Sequence, residues 1–280
     1  MPGDRKRRTL RRPDTTQRAN EKQPMTDSTK IQISSDPPIA RIALHRPEKL
    51  NALDPEMLTA LETGLSLLEG RSDIRVVTLQ ATGERAFCVG ADINAWTALT
   101  PLQMWSEWIR HGHRVFSRLI HLRQPVICAI QGLAFGGGLE LALACDIRIA
   151  GESARFAMPE VTLGTVPGWG GTARLPELIG KGRAQQMILS GEPITAAVAE
   201  RWGLVNEVVP TDRLNSRVEE LANRIAANAP VSVQTAKQLV AGSSAVTLES
   251  IAAATNAFTK DAAEGLAAFR EKRSPNFQGL

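Results

Sequence analysis

Apolar positions along this chain change their period several times, and each change marks an element. Two short runs of extended type, residues 31–34 and 39–44, flank Asp36-Pro37-Pro38, where proline interrupts regular structure, and so predict a hairpin. Residues 55–68 carry apolar side chains at the spacing of an amphipathic helix. A unit of apolar run, glycine turn and helix then recurs. Residues 75–79 lead toward Gly90-Ala91, residues 125–130 toward Gly136 to Gly138, and residues 146–150 toward Glu160. From Lys181 onward the pattern is mostly helical, with one strand-like break at 204–209. The alanine-rich stretches 222–229 and 251–257 suit helices packed closely against a partner. Strands and helices in repetition predict an α/β core.

The second of these units carries the sharpest chemistry. Gly136, Gly137 and Gly138 stand between an apolar run and the apolar stretch 139–144, which predicts a strand turning abruptly into a buried helix. Amide hydrogens at such a helix start, unshielded by any Cβ, point outward and can hold a developing oxyanion. Glu140 falls in the first helical turn. It either complements the helix dipole or, flanked by Leu139 and Leu141, is a desolvated carboxylate whose raised pKa suits proton transfer. Glu160 follows Pro159 on a loop leaving a strand. Beyond it a second glycine cluster, 164–171, surrounds Pro167 and predicts a chain packed tightly against ligand or backbone.

A third element, Arg85 to Ile93, follows the strand-like 75–79 and a Thr82-Gly83 turn. Together with Asn51-Ala52-Leu53, Gly136 to Glu140, Cys145-Asp146-Ile147, Pro159-Glu160 and Pro167 to Leu175, it resembles the enoyl-CoA hydratase/isomerase (crotonase) family, over about residues 30 to 280. The resemblance implies a spiral of repeated ββα units followed by a helical C-terminal oligomerisation region. It assigns the two halves of a backbone oxyanion hole to Ala91 and Gly137. Glu140 and Glu160 match the two catalytic glutamates of the hydratases, with Glu140 as base toward water and Glu160 as proton donor to the α-carbon. Adding water across a 2-enoyl-CoA needs those parts: a base, an acid and donors for the thioester oxygen. An isomerase would keep the fold and Glu160 without needing Glu140, and other acyl-CoA chemistries of the family would call for polar groups in the acyl pocket.

Residues matching the family's coenzyme A and substrate site are Arg85, Phe87, Val89, Asp92, Ile93, Gly136, Pro167 and Gly168, with Lys272 in a C-terminal segment that resembles one reaching a neighbouring subunit's CoA. Asn94 departs from the pattern, standing where many hydratases have a lysine. Trp96, Trp105, Trp108 and Phe116 fall in the segment expected to cover the acyl chain, and Trp169 lies inside the second glycine loop. Trp105 and Trp108, three apart, are expected in helix-face packing, while Trp96 and Trp169 are candidates to touch an acyl group in a pocket favouring short or branched chains. The implied partners are an acyl-CoA thioester and further copies of the chain, as a homotrimer or dimer of trimers. Coenzyme A is part of the substrate, and no separate cofactor or metal is implied.

Composition narrows the remainder. At 280 residues and 43% hydrophobic content the chain can bury one large core. No apolar run approaches the roughly 18 residues of a membrane span. Cys88, Cys128 and Cys145 lie in apolar segments without metal spacing and are read as reduced core thiols of a cytoplasmic protein. His111 and His113 are read as a solvated helix face. Residues 1–24 hold eight Lys and Arg against three acids, a net +5 in a chain of +4, and read as a disordered basic tail. The spiral core is expected over 25–210 and the helical region over 211–280. Neither a nucleic-acid partner nor a membrane is expected. Truncation to Met25 should therefore leave turnover of a 2-enoyl-CoA unchanged in a steady-state assay, and a large loss would give the tail a function.

Overall fold

The computed structural model describes residues 28–242 and 245–280, so the expectations for residues 1–24 and Met25 lie outside it. The chain opens with the antiparallel hairpin β1 (Ile31–Asp36) and β2 (Ile39–Leu44). Helix α1 (Pro55–Glu69) follows, capped by Asp54, whose carboxylate accepts the Met57 N–H at 2.8 Å. The repeating part is β3 (Val76–Ala81) and β4 (Ala86–Cys88), β5 (Val126–Ile130) and β6 (Leu133–Phe135), then β7 (Ile147–Gly151) and β8 (Arg155–Ala157). Between β4 and β5 run α2 (Ile93–Trp96), α3 (Pro101–Gln103), a π-helical turn Met104–Ile109 and α4 (Arg110–His121). Helix α5 (Gly137–Leu143) separates β6 from β7. After β8 come a 3-10 turn Glu160–Leu163, α6 (Gly171–Ile179), α7 (Lys181–Ser190), β9 (Ile194–Thr195), α8 (Ala196–Trp202) and β10 (Glu207–Val209). The C-terminal part is α9 (Leu214–Ala226), α10 (Pro230–Ala241), α11 (Ala245–Ala257) and α12 (Lys260–Glu271).

Strands alternate between two sheets. The six-stranded sheet has the order β1-β2-β3-β5-β7-β10 and the four-stranded sheet β4-β6-β8-β9. Each turn of the chain thus lays one strand in each sheet, β3 then β4, β5 then β6, β7 then β8, which is the repeated ββα spiral. β4, β6 and β8 pair in parallel. Parallel strands put their C-terminal ends on one edge, so the segments leaving them, Gly90-Ala91, Gly136-Gly137 and Pro159-Glu160, converge. That convergence builds the candidate site.

Helix α9 shows that the partner of the first alanine-rich stretch is the chain's own sheet. Its Leu214, Val218, Ala222 and Ala226 are buried against Ile39, Val76, Ile127, Ala129 and Ile149, on the six-stranded sheet of the same chain. Small alanines let the helix lie close to the sheet. The opposite face of that sheet meets α1 and the main core, so its central strands are covered on both sides and read as nearly continuous apolar runs. A further strand, β9, interrupts the stretch after Lys181 besides the expected break. Helices α10 to α12 leave Val240, Ile251, Leu266 and Phe269 exposed.

Asn51 fixes the entry to β4. It is fully buried in a left-handed turn with φ of 56°. Its Oδ1 accepts the Arg46 N–H at 2.8 Å, and its Nδ2 donates to the Thr82 and Ala86 carbonyls at 3.0 Å each. The following Leu53 donates to Gly90 O at 2.7 Å and accepts the Asp92 N–H at 2.8 Å. Arg46 adds bonds to Ala52 O and the Asp92 carboxylate. Replacing Asn51 with Ala leaves buried groups unpaired and keeps the left-handed backbone, so N51A should destabilise the fold by about 2–4 kcal/mol in urea unfolding; a loss below about 1 kcal/mol would show that the turn does not need the amide.

Candidate active site

The turn at Gly90 and the start of α5 touch. A Cβ added at Gly90, where φ is 101°, would lie 3.1 Å from Gly137 N, and one at Gly138 only 2.1 Å from Cys88 O. Because Leu53 takes the Gly90 carbonyl and the Asp92 amide on one side of this segment, the Ala91 N–H faces the other side. Among the described residues neither it nor the Gly137 N–H, the first of α5, has an acceptor. Both residues line one cavity, together with Gly136, Glu140 and Glu160. Two unpaired backbone donors facing a shared space form a cradle for a developing oxyanion.

Glu140 lies on the first turn of α5 and is only 2% exposed. Its Oε1 accepts the Trp169 N–H at 2.8 Å and the Gly171 N–H at 2.7 Å. Burial pushes its pKa up, while these N–H bonds and the nearby Arg174 charge act in the opposite direction. The second glycine cluster is therefore packed against this carboxylate: a Cβ at Gly171 would lie 3.0 Å from Glu140 Oε1. Arg174 donates to the Trp169 carbonyl and holds the loop in place.

Glu160 opens the 3-10 turn that follows β8. Neither of its buried carboxylate oxygens has a hydrogen-bond partner among the described residues. Burial, reinforced by the Glu140 charge, raises its pKa to about 7. Gly136 admits it, since a Cβ there would lie 3.0 Å from Glu160 Oε1.

The expected residues divide into two groups. Val89, Ala91, Ile93, Trp96, Gly136, Gly137, Glu140, Glu160, Gly168 and Trp169 all face the cavity. The others do not. Phe87 is fully buried in the main core, and Pro167 is buried without reaching the cavity. Asp92 is occupied by Arg46 at 2.7 Å and caps α2 by accepting the Asn94 N–H. Arg85 and Lys272 are exposed and outside the lining. The cavity also takes in Met104, Trp108, Ile109, Leu163, Thr165 and Val166, which carry no catalytic group that a sequence could flag. Trp108 is buried as expected, but Trp105 is 64% exposed and belongs to no core.

The remaining chemistry-bearing side chains are structural. All three cysteines are buried and unpaired, with burial raising the Cys88 thiol to about 12. His111 has a carboxylate neighbour that its sequence context did not reveal, Glu62 at 3.4 Å, while His113 is exposed. Among the described residues no three His, Cys, Asp or Glu group as a metal site would require, and no helix is long and apolar enough to cross a membrane.

A sequence model of the enoyl-CoA hydratase/isomerase family matches residues 35–280. The chain is 44% identical over 248 residues to YngF of Bacillus subtilis, covering 86% of this chain and 95% of that one. It is 40% identical over 241 residues to the short-chain-enoyl-CoA hydratase of Clostridium acetobutylicum, covering 84% and 92%. The crystal structure of an enoyl-CoA hydratase from Bacillus anthracis superposes with a TM-score of 0.87 at 39% identity, covering 90% of this chain and all of that one.

The raised Glu160 pKa sets a sign for stability. A carboxyl that titrates near 4.5 in the unfolded chain and near 7 in the folded one binds more protons when folded, so stability is lost as pH rises through that window. In thermal melts, E160Q should therefore gain on the parent between pH 4.5 and 8, by an amount bounded by about 3 kcal/mol. A parent–variant difference that stays constant across that range would rule out a buried, proton-retaining Glu160.

Proposed function

The chain belongs to the enoyl-CoA hydratase/isomerase family, and on that premise we propose that it reversibly adds water across the double bond of a 2-enoyl-CoA to give the 3-hydroxyacyl-CoA. The observation that carries this reading is the inequality of its two carboxyls. Glu140 receives two backbone N–H bonds on one oxygen, which work against the upward push of burial on its pKa and favour the ionised form a base needs. Glu160 receives no such bond from another described residue and holds its proton to about pH 7, as an acid requires. Both face the free Ala91 and Gly137 amides across one cavity.

The steps balance on these groups. Glu140 takes a proton from water as its oxygen bonds to the β-carbon. The π electrons of the double bond move to the thioester oxygen, where the Ala91 and Gly137 N–H groups hold the enolate. As the carbonyl re-forms, Glu160 delivers its proton to the α-carbon. Glu140 has then gained one proton and Glu160 has lost one, and transfer between them through the next bound water restores the pair. Dehydration runs the same path backwards. The two glutamates titrate as a coupled pair, so a measured pH profile reports on both.

The resemblance of the C-terminal segment to one that reaches across subunits accords with Lys272 standing outside this chain's own cavity. The exposed Val240, Leu266 and Phe269 support self-association, which we take as a homotrimer or a dimer of trimers. Coenzyme A arrives as part of the substrate, and the buried reduced thiols accord with a cytoplasmic enzyme.

Incubation with crotonyl-CoA, followed by enoyl-thioester absorbance and mass spectrometry, is expected to give a product one water heavier. E140Q and E160Q should each lower kcat by about 10²- to 10⁴-fold with the fold and CoA binding retained. Hydration by the parent should fall as pH rises through about 7, as Glu160 loses its proton. An active E140Q, or double-bond migration without water uptake, would replace this reading with an isomerase.

A further inference from the structure

Trp169 contributes twice to the site, by its backbone and by its ring. Its N–H binds Glu140, while its indole, 2% exposed, lies between α4 and α5. Two glycines admit the ring. A Cβ at Gly112 of α4 would lie 2.1 Å from Trp169 Nε1 and 2.4 Å from Cδ1, and one at Gly137 of α5 would lie 2.7 Å from Cε3 and Cζ3. One edge of the indole is thus pressed against a helix backbone and the other against the backbone of the oxyanion cradle. Trp108 and Phe116 close on the ring, with centroids at 5.2 Å and 5.3 Å.

On the hydratase reading the thioester oxygen is held at Gly137, and Cε3 and Cζ3 of this ring stand against that residue and line the cavity beside it. Phe116 does not line the cavity and packs behind the ring, so the indole stands between the cavity and the core at this end. We propose that Trp169 is the inner wall of the acyl cavity and restricts this enzyme to short acyl chains, an inference that rests on the hydratase reading for its substrate class. The indole Nε1 makes no hydrogen bond among the described residues, so packing alone holds the ring and shortening the side chain strands no polar partner. Substitution also leaves the residue 169 N–H in place for Glu140.

The test compares the full-length parent with W169A and W169F, using binding of butyryl-CoA and decanoyl-CoA by calorimetry and turnover of the four- and ten-carbon 2-enoyl-CoA substrates. The parent should discriminate against the ten-carbon thioesters. W169A should shift the ten-to-four-carbon ratio of kcat/KM, and of affinity, toward the longer chain by about 10- to 100-fold, with a smaller shift in W169F. If W169A does not fold, the shift in W169F decides. A parent that accepts both lengths equally, or a ratio unmoved in the folded variants, overturns the wall. The saturated thioesters need no hydration to bind, so a shifted affinity ratio without water addition to either enoyl-CoA would sustain the wall and reject the hydratase, whereas hydration with an unmoved ratio would do the reverse.

Discussion

The interaction on which the site depends is the bidirectional tie between the buried Glu140 carboxylate and the loop that surrounds it. A carboxylate so deeply buried is costly unless donors are brought to it. The loop supplies them from Trp169 and Gly171, and can do so only because a side chain at 171 would collide with the oxygen being bound. Arg174 then anchors the loop by its guanidinium to the Trp169 carbonyl. One carboxyl thereby sets the path of the chain from Gly168 to Arg174, and that path sets where the indole of Trp169 lies.

The tie would have nothing to act on without the two-sheet winding. Each turn of the spiral ends a strand of the four-stranded sheet on the same edge, so residues distant in sequence arrive together at the exits of β4, β6 and β8. The entry to β4 is fixed from outside the cavity by Asn51, and its exit by the ladder bonds of Leu53. Since those bonds use the Gly90 carbonyl and the Asp92 amide, the Ala91 amide is left facing the opposite way. That this amide has no acceptor among the described residues is a consequence of pairing on its far side.

Much of this was legible in the sequence because it was written in residue types with few alternative uses. Consecutive glycines before an apolar helix marked the Gly137 donor, and Leu139 and Leu141 marked Glu140 as desolvated. The hairpin, α1 and the central strands followed from periodicity. What escaped lacked a period or a chemical label. Strands such as β4, β6 and β8 are three residues long, too short to show alternation. Phe87 and Pro167 sit within the right motifs but are buried away from the cavity, Phe87 in the main core, which spacing in a loop does not reveal. The alanines of α9 announced close packing without saying against what, and the chain's own sheet was the answer. The resemblance supplied the pairing of Ala91 with Gly137, which no local pattern contains.

Two glutamates of the same chemical type become different groups here because donors are given to one and withheld from the other. The donors that matter, at 91, 137, 169 and 171, all belong to the main chain. The amides at 169 and 171 are held by the Glu140 carboxylate and the Arg174 guanidinium, and those at 91 and 137 by ladder bonds and glycine packing. Main chain and side chain are therefore separate at Trp169: the amide bonds Glu140, and the ring lines the cavity. The ring can change while the charge-bearing geometry stays fixed, because the indole makes no hydrogen bond among the described residues.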